Sequence, residues 1–265
     1  MYIDSLSSAN NPKIKELLLL KERSRQRRER TLFVVEGVRE VSAAVKAGYD
    51  IESLFFLPGS AGEDIAHIVP AKHIFSLTQP LYAKVAYREG SEGVIAVAKY
   101  KNLILDDIRL SKNPLIIILE SVEKPGNLGA VIRTADGVNA DAVIVCDPLT
   151  DIFNPNIIRS SLGSVFTRNV CICSSQEAYQ WLTKKGIKIF TAELQASKWY
   201  YDSDLSGAAA IVMGSESSGL KPFWRERAGD SIKIPMCGDV DSLNVSVSTA
   251  VICYEALRQR SVGDV

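Results

Sequence analysis

The sequence predicts an α/β protein, with an open, mainly parallel sheet in the C-terminal part and a small α/β domain in front of it. Three observations lead there. Short apolar runs alternate with helical patterns along most of the chain, which is the signature of β–α units. The run LIIILE (115–120) is almost continuously apolar, as a strand buried on both faces must be. A polar-punctuated stretch ending in proline, KNLILDDIRLSKNP (101–114), divides the alternation into two blocks and is the candidate linker. The expected domains are 1–105 and 112–265, and 265 residues are enough for two domains of ordinary size.

The elements follow in order. Residues 11–30 (NPKIKELLLLKERSRQRRER) read as one amphipathic helix, with Ile14, Leu17 and Leu18 on the apolar face. Eight basic residues stand against three acidic ones there, leaving +5, the clustering expected of a footprint on phosphate. Arg23, Arg25, Arg27, Arg28 and Arg30 are the candidate contacts. A strand (32–37), a helix closed by Gly48, a strand (51–57), and then strand, helix and strand complete the first block near Tyr100. In the second block, strands at 115–120, 141–146, 169–173, 187–193, 208–213 and 231–235 alternate with helices at 127–140 and 175–186, and a helix at 243–260 closes the chain.

Bulk composition excludes several classes. Hydrophobic residues make up 46% and charged residues 23%, the profile of a well-buried globular chain. Lys plus Arg equals Asp plus Glu, 31 against 31, so a nucleic-acid partner is signalled only by local clustering. The N-terminus lacks a signal-peptide pattern, and no apolar run approaches the ~20 residues that cross a bilayer. Five cysteines and two histidines stand at no metal-ligand spacing. The expectation is a cytoplasmic chain with reduced cysteines, no metal and no membrane.

Three loops carry the chemistry, and each follows an expected strand, where open α/β sheets bind ligands. In the first, Gly126 and Gly129 flank a turn into a helix, with Asn127 as candidate N-cap and Arg133 the one charge from Leu128 to Ala135. There is no G-x-G-x-x-G and no G-x-x-x-x-G-K, which argues against a dinucleotide or P-loop enzyme. In the second, Gly214 and Gly219 bracket Glu216 and three serines. In the third, Ile234-Pro-Met236 runs through a Gly/Asp turn to Ser242-Leu243-Asn244-Val-Ser246, with Ser242 as candidate N-cap of the last helix. Singly, each reads as well as an ordinary turn.

Together and in this order the loops resemble the SpoU or TrmH family, the ribose-methylating branch of the SPOUT class. The matches are Asn127, Gly129 and Arg133; Gly214, Glu216 and Gly219; and Ile234, Pro235, Met236 with Ser242 to Ser246. The resemblance covers about 115–260. Lys124 stands where the family often has an acidic residue, and Ser248 where it often has Ala. Residues 1–100 look more weakly like the small substrate-binding domain many members carry, through Asn11-Pro-Lys-Ile-Lys and Phe33-Val-Val-Glu-Gly37.

The resemblance implies a trefoil knot, a homodimer, S-adenosyl-L-methionine as cofactor and methyl transfer to a ribose 2′-hydroxyl of RNA. Ribosomal RNA is expected; transfer RNA, or a catalytically silent RNA-binding relative, is the alternative. It places the cofactor against Gly214, Ile234 and Leu243, with Met236 and Ser242 beside them. Arg133, Asn127, Ser246, Glu216 and Asn244 form the expected catalytic set. A guanidinium is effectively always protonated, so Arg133 is expected to orient a phosphate and stabilise alkoxide character. Asn127 and Ser246 would position the ribose or Arg133, and Glu216 would hold Arg133 or another loop.

Overall fold

The structure is a computed structural model and describes residues 3–87 and 92–261. It forms two compact units, Met1–Lys101 with Asp151–Thr167, and Asn102–Thr150 with Arg168–Val265.

The first unit contains β1 (Ile3–Leu6), α1 (Pro12–Glu22), α2 (Ser24–Arg30), β2 (Leu32–Glu36), α3 (Val38–Lys46), β3 (Ile51–Phe56), α4 (Ala61–Ile68), β4 (Ala71–Leu77), α5 (Gln79–Val85) and β5 (Val94–Lys99). Its sheet has the order β1-β4-β3-β5-β2, parallel from β1 to β3 and antiparallel across β5. Ile14, Leu17 and Leu20 of α1 are fully buried with Val34, Phe55 and Ile95 of the strands, and each such side chain stabilises the fold by about 1.5–3 kcal/mol. Gly48, at φ +74, closes α3 as expected.

The basic stretch differs from the single helix that the sequence suggests. The backbone leaves helical geometry at Arg23 (φ −116, ψ 108), so α1 and α2 are separate. Arg27 then turns inward and is 1% exposed. Its Nη1 donates to the carbonyls of Leu20 and Lys21 at the end of α1, and Nε meets Asp151 Oδ2 at 2.6 Å. Arg27 is therefore a structural strut and no phosphate contact. Arg25 and Arg30 pair with Glu29 and Glu16, while Arg23 and Arg28 are exposed.

Asp151–Thr167 packs into this first unit. It carries α7 (Pro155–Ser160) and α8 (Ser164–Thr167). Phe153 stacks on Phe33 with ring centroids 4.2 Å apart, and Phe166 and Tyr100 complete the aromatic cluster.

The second unit opens with Leu103, Leu105, Ile108 and Leu110 packed on its core, so the polar-punctuated stretch is an integral layer of it. Its strands are β6 (Leu115–Glu120), β7 (Ala142–Cys146), β8 (Val170–Cys173), β9 (Lys188–Ala192), β10 (Lys198–Trp199), β11 (Ala209–Met213) and β12 (Asp230–Lys233). They form one parallel sheet in the order β10-β12-β9-β11-β6-β7-β8. Every residue of β6, β7 and β11 is buried, as continuous apolar runs require in a parallel sheet covered by helices. The helices are α6 (Pro125–Gly137), α9 (Ser175–Lys184), α10 (Pro222–Arg227) and α11 (Val245–Ser261), and α11 packs on α6. The expected fold class is the observed one. Among the described residues, no helix is long and apolar enough to cross a membrane and no group of His, Cys, Asp and Glu could hold a metal ion.

Candidate active site

A cavity of about 630 Å³ opens beyond the carboxyl ends of β9, β11 and β12. The loop 214–220 after β11 forms one wall and the run from Ile234 to Asn244 after β12 another. Leu194 and Gln195 after β9 form a third, and buried Val245 and Ile252 of α11 line it as well. Its size suits a ligand of several hundred daltons.

The glycines of the second loop shape it in different ways. A Cβ on Gly214 would lie 2.2 Å from the carbonyl carbon of Gly219. The missing side chain thus lets the loop close on itself, through mutual backbone hydrogen bonds between Ser215 and Gly219 at 3.0 and 3.1 Å. Gly219 turns the chain at φ +66, a conformation glycine adopts without strain.

Hydrogen bonds join the three motif loops into one chain. Asn127 Nδ2 donates to Glu216 Oε1 at 2.6 Å, and Asn244 Nδ2 donates to Asn127 Oδ1 at 3.2 Å. Asn244 Oδ1 in turn accepts from the Ser246 amide at 3.0 Å and the Ser246 hydroxyl at 2.7 Å. Asn244 is thus the cap of α11, in place of Ser242. Asn127 lies inside α6, which begins at Pro125, and Lys124 at the cap position offers no side-chain bond. The Glu123 amide donates to Glu216 Oε2 at 3.3 Å instead. Glu216 thereby supplies from a distant loop the negative charge that a helix N-terminus favours. Burial pushes its carboxyl up, but the bonds from Asn127 and from the amides of Glu216, Glu123 and Lys124 outweigh burial and hold it below the usual carboxylate range.

A second anchor gave no signal in the sequence. Glu120, 1% exposed at the end of β6, accepts from the Lys221 amide at 2.7 Å and from the Ser175 hydroxyl. That single hydroxyl proton is shared with Asp147, the nearer acceptor at 2.7 Å, and the Ser175 oxygen accepts from Trp224 Nε1. The loop 214–221 is therefore fixed at both ends, by Glu216 on α6 and by Lys221 on Glu120. Side chains bonding to backbone some hundred residues away leave no local pattern to read.

Gly214, Glu216, Ile234, Met236, Ser242, Leu243 and Asn244 all line the cavity. Asn127 and Ser246 join it through Glu216 and Asn244. Arg133 stands apart, exposed on α6 about 1.7 turns beyond Asn127, and makes no hydrogen bond or ion pair among the described residues. Glu216 holds Asn127 and not Arg133. Sequence reading missed the Arg225–Glu193 ion pair (3.1 Å) and Lys233 on the cavity wall. Among the cysteines, all free, Cys253 is pushed up to about 12 by burial, as befits a core thiol rather than a nucleophile.

A parallel α/β sheet with one loop-built cavity at its carboxyl edge defines a small-ligand-binding enzyme domain. Comparison with known proteins names the family. The SpoU rRNA methylase family model matches residues 114–254, and a model described as an MRM3-like substrate binding domain matches 11–96. The chain belongs to the SpoU rRNA methylase family. It is 34% identical over 185 residues to the 23S rRNA (guanosine-2′-O-)-methyltransferase RlmB of Pseudomonas putida, across 67% of this chain and 75% of that protein. A solved RNA 2′-O ribose methyltransferase superposes with a TM-score of 0.85 at 35% identity, over 97% of this chain and 99% of the other. The SpoU methyltransferase AviRb from Streptomyces viridochromogenes, in complex with the cofactor AdoMet, superposes with a TM-score of 0.88 at 26% identity, over 95% and 99%.

Proposed function

We propose that this chain is an enzyme that transfers a methyl group from S-adenosylmethionine to a ribose 2′-hydroxyl of ribosomal RNA. One observation carries the reading. The three motif loops, distant in sequence, are tied by the chain Glu216–Asn127–Asn244–Ser246 around a single cavity. The P. putida relative is named for 23S rRNA and AviRb is described with AdoMet, which supports both substrate and cofactor. The 23S rRNA in that P. putida relative's name supports ribosomal over transfer RNA.

The cofactor, when bound, supplies an activated methyl group. Ile234 and Leu243 would hold the cofactor with apolar side chains, with Met236 and Ser242 beside them, and Gly214 would offer backbone. Glu216, Asn127 and Asn244 hold the N-termini of α6 and α11 in fixed relation, so that Arg133 and Ser246 are carried on helices rather than free loops. Arg133, with no partner among the described residues, is available to an RNA phosphate and to developing negative charge on the ribose oxygen. Its fixed charge leaves the hydroxyl proton to water or another acceptor.

Three further readings accompany this one. The C-terminal region forms the trefoil knot of its class, supported by α11 returning to pack on α6. The protein is a homodimer, supported by the exposed apolar side chains of Val247 and Tyr254 on α11, 47% and 52% exposed. The enzyme works in the cytoplasm.

Isothermal calorimetry with S-adenosylmethionine, together with mapping of ribose methylation in cellular RNA with and without the gene, tests the function. One site per chain and one lost ribosomal methylation are expected. Methyl-donor binding without any lost methylation would make the chain a silent relative, and no binding would overturn the reading.

A further inference from the structure

We propose that Trp199, Tyr201 and Lys233 form a stacking subsite for a base of the RNA strand that carries the methylated nucleotide. The inference rests on the RNA methyltransferase reading of the cavity. β10 is an edge strand of only two residues, followed by a 3₁₀ turn at Tyr200–Asp202. Trp199 and Tyr201 are 36% and 46% exposed, whereas the other two tryptophans, Trp181 and Trp224, are 6% and 0% exposed. The two exposed rings lie nearly parallel, 25° apart with centroids separated by 6.5 Å.

Two features favour a nucleic acid over an apolar partner. Lys233 Nζ sits over the Trp199 ring, 4.7 Å from its centre, and has no ion pair among the described residues, so a cation without a counter-charge caps one face of the indole. Nearby Asp230 is already neutralised by Lys188 and Lys198, at 2.8 and 2.6 Å. Aromatic faces flanked by cations are how proteins bind single strands with little sequence preference. Position adds to this. Lys233 is the register partner of Trp199 and itself lines the cavity, so the rings lie one strand, ~5 Å, from its wall. The cavity is the one proposed for the methyl donor, so the acceptor ribose comes to its mouth, and the rings stand beside its Lys233 wall at the β10 edge.

Trp199 provides its own probe, as the one exposed tryptophan among three. The full chain is titrated with a fluorescein-labelled ten-nucleotide single-stranded RNA, following anisotropy, and with the unlabelled strand, following acrylamide quenching of tryptophan. S-adenosylmethionine affinity is measured in parallel. RNA is expected to shield Trp199 from acrylamide. Trp199→Ala with Tyr201→Ala should weaken RNA binding roughly 10- to 100-fold, Trp199→Phe should retain most of it, and methyl-donor affinity should not change. RNA binding that leaves Trp199 quenching and the double variant's affinity unaltered overturns the subsite alone. A double variant that changes molecular mass by light scattering makes the patch a protein interface and also overturns it. A wild-type chain that binds neither methyl donor nor RNA overturns the functional reading itself.

Discussion

Replacing Asn127 by aspartate exchanges an amide for a carboxylate of almost the same shape and sets it against Glu216. In the native protein Nδ2 donates to Glu216 Oε1 over 2.6 Å. Two full charges at that separation repel by about 6 kcal/mol at an effective dielectric of about 20, and by about 1.6 kcal/mol in bulk water. Both residues are half-buried, so the repulsion falls between these limits. The pair escapes it by retaining one proton, an O–H donating where the N–H did, and its proton affinity is raised in the folded state. Stability from a raised group is present below its unfolded pKa and is lost as pH rises through the folded one. Asn127→Asp should therefore melt close to wild type near about pH 4. Its deficit should grow by about 1.4 kcal/mol per pH unit and level off at roughly 2–6 kcal/mol by about pH 8. Wild-type Glu216 has the opposite sign: its carboxyl is held low, so its contribution is present above the unfolded carboxylate range and lost as pH falls. Thermal melting of both proteins across this range is the assay, with S-adenosylmethionine affinity measured at each pH. A stability difference independent of pH would refute the proposed bridge between the loops.

Arg27→Met removes one partner of a buried ion pair and should cost about 3–5 kcal/mol in urea unfolding, whereas exposed Arg28→Met should change stability by less than about 0.5 kcal/mol; equal losses would contradict the strut. Arg133→Ala should fold and bind the methyl donor but lose about 10²–10³ in single-turnover rate, with little rescue by lysine. Rates within a few-fold of wild type would remove its role. Arg23→Glu with Arg28→Glu should weaken RNA binding and flatten its salt dependence by about 0.7 per lost contact on a single strand; an unchanged slope would leave α2 as a solvated face.

The parallel sheet was legible because its strands are buried on both faces and therefore apolar throughout, as in β6 and β11. β1 was not, since Ile3–Leu6 is an edge strand largely exposed and carries no apolar pattern. β10 is too short for periodicity to register. The break at Arg23 was hidden because the apolar run ends at Leu20 and only charged and polar residues follow, and a run of arginines points outward to phosphate rather than to a buried partner such as Asp151. For Asn127 the needed signal was present: Pro125 marks the first turn of a helix and so places Asn127 inside it. The cavity residues were readable through their motifs. The contacts that hold those motifs in place, Glu216 on the N-terminus of α6 and Glu120 on the Lys221 amide, depend on tertiary proximity alone.

The excursion Asp151–Thr167 has a consequence for how the protein can be divided. A fragment cut near residue 101 would lack Asp151, the counter-charge of Arg27, and Phe153 and Phe166, the lid over Phe33. Its folding unit is longer than the continuous stretch that encodes most of it. Grafting this N-terminal unit onto a relative's methylase region would thus require transplanting seventeen further residues (151–167) into the middle of the relative's sequence. Without them the graft would inherit an unpaired buried guanidinium and an uncovered aromatic face, a defect traceable to topology rather than to any residue at the junction.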